Sequence, residues 1–302
     1  MSAIELKNVS KRYQDTEALQ SASFDVGEGE LFGLIGPDGA GKTTLFRILT
    51  TLLIPDTGRA LVEGMDVVKD YRAIRQVTGY MPGRFSLYPD LSVEENLNFF
   101  ATIFDTTIRE NYHLIQDIYQ QIEPFKDRPA RNLSGGMKQK LALSCALIHK
   151  PHILILDEPT TGVDAVSRKE FWDMLIQLKK QGITILVSTP YMDEAGLCDR
   201  VALIQDARIM KIDTPGQVIR DFPRRLWAVR AARAYPLLKD LRQYRPLASV
   251  YPFGDSVHVT SHADDLDVYA LQDYLEDKGH TRVEITKFAP TIEDCFMDLM
   301  NR

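Results

Sequence analysis

Three features are scarce or missing in this chain of 302 residues, and each excludes a class of protein. The three cysteines, Cys145, Cys198 and Cys295, form no CxxC or Cys/His cluster, so neither a disulfide framework nor a zinc site is predicted, and a reducing compartment fits best. No apolar run approaches the ~18 residues of a membrane-spanning helix, so the chain is not expected to cross a membrane by itself. Basic charge is not in excess either, because Lys plus Arg number 36 against 42 Asp plus Glu, a formal net charge of −6. Nucleic acid is therefore not an expected partner.

What the chain does contain is the composition of an ordinary globular protein, with 44% hydrophobic and 26% charged residues. Up to about residue 212, short apolar strands alternate with amphipathic helices, which predicts an α/β domain built around a largely parallel sheet. Later segments follow the order β-α-β-β-α-β, which is ferredoxin-like. We therefore expect an α/β domain at residues 1–221, with a helical subdomain at about 90–150, and a smaller C-terminal α+β domain at 222–302.

A glycine-rich loop follows the predicted strand Glu30–Ile35. Residues 36–44 read GPDGAGKTT, which matches G-x-x-x-x-G-K-[ST], and a helix is predicted from Lys42 to about Leu53. Glycines let backbone amides surround phosphate oxygens, and the helix N-terminus adds its positive end. We expect Lys42 to neutralise the β- and γ-phosphates, Thr43 to bind Mg²⁺ and Thr44 to donate to an α-phosphate. The candidate nucleotide-binding residues here are Gly36, Pro37, Asp38, Gly39, Ala40, Gly41, Lys42, Thr43 and Thr44.

Two carboxylates end the apolar segment ILILDE at residues 153–158. Beside a triphosphate, Asp157 would support Mg²⁺, directly or through water, and Glu158 would be the general base for the attacking water. A core strand that meets solvent at its charged end produces the same pattern. The phosphate loop upstream is what favours the functional interpretation.

The segment LSGGMKQ, residues 133–139, places the Ser134 hydroxyl and the amides of Gly135 and Gly136 at the start of a predicted helix, which suits a γ-phosphate. LSGG is the signature of the ATPase subunits of ABC transporters, and the chain resembles this family over roughly residues 3–220. The resemblance implies that two such domains face head to tail around two ATP molecules with Mg²⁺, each signature completing the other domain's site. It further implies an integral-membrane permease as partner and a cytoplasmic location, peripheral on the cell membrane.

Weaker matches follow the family order. Tyr13 stands where the family places an aromatic residue that stacks on adenine, although a packed surface tyrosine would look the same. Residues 161–164 resemble the D-loop, which contacts the partner domain, and Asp164 is equally suited to cap the next helix. Residues 83–97 resemble the segment that grips a coupling helix of the permease, although its aromatic residues also suit a core. The ending APTIEDCFMDLM is similar to ATPases of drug- and polysaccharide-type exporters that pair with ABC-2 permeases.

Two positions depart from the family pattern. Gly83 follows GYMP where the family has a glutamine, and Pro190 stands where the family has a histidine that contacts the γ-phosphate. Proline offers no side-chain donor. If that histidine is a transition-state donor, its loss costs about 100- to 1000-fold in turnover. We therefore expect an ATP-binding and ATP-hydrolysing subunit of an exporter whose own site is slow.

Two alternatives stay open at this point. One is a degenerate regulatory subunit that completes the ATPase site of a partner without hydrolysing ATP itself. The other is a soluble ABC ATPase that acts on DNA or ribosomes, although such proteins carry long coiled-coil inserts or two ATPase domains, and neither is evident in this sequence.

Overall fold

The computed structural model describes residues 2–300 and divides into two compact units, Met1–Val218 and Ile219–Arg302. The outer ends of the two predicted domains, residue 1 and residues 301–302, lie outside the described residues. The division falls slightly before the boundary that the sequence analysis placed after residue 221.

In the first unit the strands are β1 (Ser2–Tyr13), β2 (Thr16–Gly27), β3 (Leu31–Ile35), β4 (Thr57–Val62), β5 (Met65–Asp66), β6 (Thr78–Met81), β7 (Ile153–Asp157), β8 (Thr184–Thr189), β9 (Arg200–Gln205) and β10 (Arg208–Asp213). The helices are α1 (Lys42–Leu49), α2 (Tyr71–Val77), α3 (Val93–Ile103), α4 (Ile108–Tyr119), α5 (Gly135–Leu147), α6 (Ala165–Lys180) and α7 (Pro215–Arg220), the last of which includes the division between the units.

A six-stranded sheet of order β10-β9-β3-β8-β7-β6 positions the candidate site. Its neighbours are parallel except β9 and β10, which confirms the largely parallel sheet predicted from the sequence. Every residue of β3, β7 and β8 is buried, as expected for strands covered on both faces. The register pairs Ile35 with Thr189 and Asp157 with Ser188, so the carboxyl ends of these three strands meet at one edge.

A second sheet, antiparallel and of order β2-β1-β4-β5, was not separated from the first by the sequence pattern. Helix α1 contacts strands of both sheets. The core joins the two sheets through this helix, because Phe24 and Phe32, stacked with ring centroids 5.2 Å apart, belong to the same buried cluster as Leu45 and Phe46 of α1. The helix that carries the phosphate loop is thus buried between two layers.

Two local expectations have different outcomes. The predicted helix from Lys42 to about Leu53 is too long, because α1 ends at Leu49 and Thr51 adopts a left-handed backbone with φ 62°. The helical region after residue 90 is confirmed by α3 and α4. A capping box begins α3, with Ser92 Oγ accepting from Glu95 N at 3.1 Å and Glu95 Oε2 accepting from Ser92 N at 2.7 Å.

The second unit has the elements β11 (Leu226–Arg230), α8 (Ala234–Leu241), β12 (Leu247–Phe253), β13 (Ser256–Ser261), α9 (Val268–Asp277), β14 (Glu284–Phe288) and α10 (Ile292–Met300). Its sheet is antiparallel with the order β12-β13-β11-β14. The start of α10 is capped by Asp294, whose Oδ2 accepts from Thr291 N at 2.8 Å. A buried hydrogen bond of 2.6 Å between His258 and Asp294 ties this helix to β13. Across residues 2–300, no helix is both long and apolar enough to cross a membrane.

Candidate nucleotide-binding site

The phosphate loop connects β3 to α1 through a backbone that requires glycine. Gly39 and Gly41 have φ of 81° and 106°, in the left-handed region that other residues rarely adopt. A Cβ at Gly41 would lie 2.3 Å from the carbonyl oxygen of Ala18, and one at Gly36 would lie 2.1 Å from that of Ile204. Other residues would therefore displace the loop from the neighbouring strands.

The Lys42 side chain is 3% exposed and is held by three oxygen atoms of the protein. Its Nζ donates to the carbonyl oxygens of Gly36 at 2.7 Å and Pro37 at 2.9 Å, and it lies 3.0 Å from Oε1 of Glu158. The predicted phosphate-binding lysine and the predicted general base are therefore in direct contact. Only the lysine end of this ion pair is fully buried, so removing Glu158 would leave the buried Lys42 ammonium with carbonyl oxygens alone.

The two carboxylates at the end of β7 have different environments. Asp157 is buried, and its Oδ1 accepts from Ser188 Oγ at 2.7 Å. Glu158 is partly exposed and has a left-handed backbone with φ 48°, while its N–H lies 3.0 Å from Ser188 Oγ. A left-handed backbone is strained in a residue other than glycine, and here it occurs at the residue that contacts Lys42. Nearby, burial and then the charge of Asp157 raise the pKa of Tyr80 to about 12.

The donor set at this edge fits ATP with Mg²⁺. Thr43 and Thr44 lie half-buried in the first turn of α1, behind a glycine loop that offers backbone N–H groups. Magnesium bound to a nucleotide needs only one or two protein ligands, since phosphates and water supply the rest. Thr43 and Asp157 are the residues that would hold it. Within residues 2–300 there is no cluster of three or more His, Cys, Asp or Glu side chains that could hold a metal ion.

The predicted adenine-stacking tyrosine and the predicted LSGG residues lie outside the phosphate loop and the acidic strand end. Tyr13 ends β1 and is 42% exposed, as an aromatic residue free to stack on a ligand would be. Ser134 is the exposed N-cap of α5, and its Oγ accepts from Met137 N at 3.3 Å. A Cβ at Gly135 would lie 3.7 Å from the carbonyl oxygen of Gly162. The turn at residues 134–136, called the signature turn below, thus adjoins residues 161–164 of its own chain.

The two departures from the family pattern both lie at the carboxyl edge of the sheet. Gly83 follows β6, and a Cβ there would lie 3.1 Å from the carbonyl oxygen of Asp157. Pro190 directly follows Thr189, the last residue of β8, whose carbonyl oxygen accepts from Gly36 N at 3.3 Å. Both positions therefore adjoin the residues that would contact a γ-phosphate and its metal.

Sequence reasoning missed a buried carboxylate beside this edge. Glu194 is 2% exposed, and its Oε1 accepts from Thr160 Oγ1 at 2.9 Å while its Oε2 accepts from Thr189 Oγ1 at 2.5 Å. It therefore joins the loop after Glu158 to the end of β8. The only signal was an acidic pair after STPYM, which is indistinguishable from a solvated turn until the fold is known.

A groove of about 770 Å³ adjoins the site, lined by the carboxyl side of β6, the segment 82–87 and helix α5. Several large apolar side chains that line it or flank it are exposed to solvent, namely Leu52, Phe85, Tyr88, Phe99 and Ile103. The alternative that the aromatic residues of segment 83–97 form a core therefore does not hold for Phe85 and Tyr88, which are 41% and 47% exposed.

A buried strand that passes through a glycine loop into a helix, next to a strand that ends in two carboxylates, defines a phosphate-loop nucleotide-binding domain. The family model described as ABC transporter matches residues 19–161. The Nod factor export ATP-binding protein I of Sinorhizobium fredii is 36% identical over 307 residues, which cover 99% of this chain and 86% of that protein. The chain belongs to the ABC transporter family of ATP-binding proteins.

Two further similarities agree with this assignment. The probable multidrug ABC transporter ATP-binding protein YbhF of Escherichia coli is 41% identical over 216 residues, covering 71% of this chain and 37% of YbhF. The chain thus spans little more than a third of the length of that curated relative. The dimeric, post-hydrolysis structure of the ATP-binding cassette MJ0796 with ADP and Pi matches with a TM-score of 0.64 and 25% identity, over 70% of this chain and 98% of that one.

Proposed function

We propose that this chain binds Mg-ATP, pairs with a second ATPase domain around it, and hydrolyses it to drive a separate membrane permease that exports its substrate. The observation that carries the proposal is the 3.0 Å contact between Lys42 and Glu158, because it brings the phosphate loop and the acidic strand end into one site. The names of the relatives, multidrug and Nod factor export proteins, favour export over import.

Each predicted residue has a role in this proposal. The loop from Gly36 to Thr44 binds the phosphates, with Lys42 as the cation, while Thr43 and Asp157 hold Mg²⁺, which would neutralise phosphate charge. Glu158 accepts a proton from the attacking water. Tyr13 stacks on the adenine.

Pairing is supported by the exposure of the signature turn. Ser134 is an exposed N-cap, and Thr161 and Gly162 beside it are exposed as well. Hydroxyl and amide donors at a helix N-terminus bind phosphate, and α5 has them at exposed positions, Ser134 and Gly135. A second ATPase domain, identical or different, would bring the γ-phosphate of its bound ATP to these donors.

A membrane permease is the proposed occupant of the groove beside segment 83–97. Contiguous exposed apolar surface marks an interaction site, and the side chains of Leu52, Phe85 and Ile103 supply it here. The ending APTIEDCFMDLM favours an ABC-2 permease. The chain would then lie on the cytoplasmic face of the cell membrane.

The test is Mg-ATP binding and hydrolysis by the purified chain, with Glu158→Gln as the matched control. We expect turnover that the substitution abolishes, and an ATP-dependent dimer of Glu158→Gln in light scattering. Ser134→Arg, which adds a bulky charge at an exposed position, should prevent that dimer while ATP still binds. An ATP-bound chain that stays monomeric would contradict pairing with itself.

The alternative function is that of a regulatory subunit whose own site does not turn over. Gly83 and Pro190 favour it, because neither supplies the side chain that usually meets the metal, the water or the γ-phosphate. ATP binding without turnover, in a chain that stimulates hydrolysis by a second ATPase domain, would establish this alternative.

A further inference from the structure

The second unit carries its two longer connecting helices, α8 and α9, side by side on one face of its sheet. Both helices bury leucines in the same core as strands β11 and β13, namely Leu237, Leu241, Leu271 and Leu275. They are direct neighbours, because the hydroxyl of Tyr274 donates to the carbonyl oxygen of Asp240 at 3.1 Å. The sides of α8 and α9 that do not pack on the sheet are open to solvent.

Each open side carries a row made of one tyrosine followed by two charges of the same sign. Side chains three and four residues apart share one side of a helix, and both rows use the spacing of four and then three residues. The α8 row consists of Tyr235, Lys239 and Arg242, and the α9 row consists of Tyr269, Asp273 and Glu276. All six residues are exposed, and the tyrosines are 80% and 83% exposed. Tyrosine is a residue type enriched at protein interfaces, because its ring is apolar and its hydroxyl can hydrogen-bond.

The charges of the two rows are available to a partner. Within residues 2–300, no side-chain hydrogen bond or ion pair engages Lys239, Arg242 or Asp273, while Glu276 accepts from Gln272 at 2.9 Å. Like charges one turn apart on a helix repel each other, so each row slightly destabilises its own helix. An opposite charge from another molecule would relieve this repulsion.

The sheet determines how the two rows can meet a second copy of themselves. Helix α8 follows β11 and α9 follows β13, and these strands are antiparallel, so the two helices run in opposite directions. A twofold axis parallel to the helices lays α8 of one copy antiparallel on α9 of the other, with Lys239 opposite Asp273 of the second copy. A twofold axis across the helices would instead place α8 on α8 and α9 on α9, with like charges opposed. Electrostatic complementarity therefore selects the first arrangement.

We propose that this helical layer is a contact surface for a second copy of the chain, with α8 of each copy against α9 of the other. The equal spacing of the rows then places Arg242 over the ring of Tyr269 of the second copy, as a cation–π contact. At the other end, the hydroxyl of Tyr235 donates to Glu276 of the second copy. The proposal goes beyond the proposed function, because this contact needs neither ATP nor the signature turn.

The contact is weak by itself. Two short helices from each chain form a small, polar interface of the transient class, so we expect a Kd on the order of 0.1 mM. At low micromolar concentration the chain without ATP is therefore a monomer. This separates the contact from the ATP-dependent dimer of the proposed function.

The test is sedimentation of the full chain without nucleotide, from about 5 to about 300 µM, which brackets the expected Kd. Two charge-reversal variants are compared with it. The acidic variant, Lys239→Glu with Arg242→Glu, makes both rows negative, and the basic variant, Asp273→Lys with Glu276→Lys, makes both rows positive. Both variants stay negative overall, because the chain starts at −6 and each double substitution changes the net charge by four. General attraction between the two variants is thereby avoided.

Two controls accompany these samples. Glu28→Lys with Glu284→Lys changes the net charge as the basic variant does, at exposed positions outside the rows, and should associate like the unchanged chain. Ser134→Arg, which blocks the signature turn, should also associate normally without ATP. MgATP binding and circular dichroism on every sample report whether each variant is folded.

We expect the full chain to dimerise at about 50 mM NaCl and at least ~5-fold more weakly at about 500 mM. Each reversal variant alone should stay monomeric, and an equimolar mixture of the two should dimerise at least as tightly as the full chain, because every facing pair of rows is again opposite in charge. The proposal is overturned by a folded full chain that stays monomeric throughout, by a reversal variant that self-associates like the full chain, or by a mixture that does not dimerise. Loss of the nucleotide-free dimer in Ser134→Arg would assign the association to the signature turn and overturn it as well.

Discussion

The ammonium nitrogen of Lys42 lies 3.0 Å from Oε1 of Glu158, so the proposed phosphate-binding cation and the proposed general base neutralise each other. The two groups come from different strand ends, and the parallel order β3-β8-β7 brings them to one edge. A triphosphate would compete with Glu158 for this cation. Binding of ATP would thereby release the Glu158 carboxylate from Lys42. The carboxylate could then accept a proton only when the phosphate loop holds ATP.

Glu158→Gln should separate ATP binding from hydrolysis. Hydrolysis should fall at least ~100-fold because the base is lost. ATP should bind as tightly as before, or a few times more tightly, because the neutral amide competes less for Lys42. Phosphate release and calorimetric titration with MgATP measure the two effects. Lys42→Ala is the control and should lose ATP affinity, whereas weaker ATP binding by Glu158→Gln would refute the competition.

Pro190→His should raise turnover. The position follows the end of β8, where Thr189 contacts the phosphate loop through its carbonyl oxygen, so an imidazole there can approach a γ-phosphate. Restoring a donor that acts in the transition state raises turnover about 100- to 1000-fold. Pro190→Ala is the matched control because it removes the proline without adding a donor. Equal turnover of the two folded, ATP-binding variants would count against the proposal that the missing histidine slows hydrolysis.

Gly83→Gln should be tolerated and should add to the effect of Pro190→His. The backbone of Gly83 is not in the left-handed region, and a Cβ would lie 3.1 Å from the Asp157 carbonyl oxygen, so a shift of a few tenths of an ångström suffices. We expect a loss of less than ~1 kcal/mol in the free energy of unfolding. Urea unfolding and the Mg²⁺ dependence of turnover would check this, with Gly83→Ala as control. If Gly83→Gln and Gly83→Ala need the same Mg²⁺ concentration for half-maximal turnover, a side chain at this position does not help to bind the metal.

Glu194→Ala should destabilise the first unit by about 1–3 kcal/mol, because Thr160 and Thr189 lose a buried acceptor. Glu194→Gln keeps one acceptor oxygen, so its free energy of unfolding should fall less than that of Glu194→Ala. Since Glu194 joins the loop after Glu158 to β8, kcat should fall more than KM rises in both variants. Denaturant unfolding and steady-state kinetics measure the two effects. Unchanged kinetics in a destabilised alanine variant would assign Glu194 a purely structural role.

Acid should destabilise the first unit partly through His149. Burial lowers its pKa from 6.5 to about 4, so between these values the unfolded chain binds the proton more readily than the folded chain does. The stabilising contribution of neutral His149 to the free energy of unfolding is complete above about pH 6.5 and is lost as the pH falls toward 4. At about pH 5 the free energy of unfolding should already be lower by roughly 2 kcal/mol. Unfolding free energies of the full chain and His149→Phe should converge with falling pH. Parallel pH curves would show that His149 does not contribute.

The amino-acid sequence alone was sufficient for the parts of this protein whose chemistry is local. The glycine loop at residues 36–44, the carboxylates that end ILILDE and the capping box of Ser92 and Glu95 depend on residues that are neighbours in the chain. The alternation of buried strands with helices likewise predicted the parallel sheet, because strands covered on both faces must be apolar throughout.

Only the tertiary structure decided which distant residues meet. Packing between two layers, which no local pattern encodes, separates the antiparallel sheet from the parallel one. The same packing explains why α1 already ends at Leu49. The burial of Glu194 depends on elements far apart in the chain, and so does the lack of a partner for Nδ1 of His149 within residues 2–300. A charged or polar residue looks solvated in sequence, and only the folded neighbours determine whether water or a buried partner satisfies it.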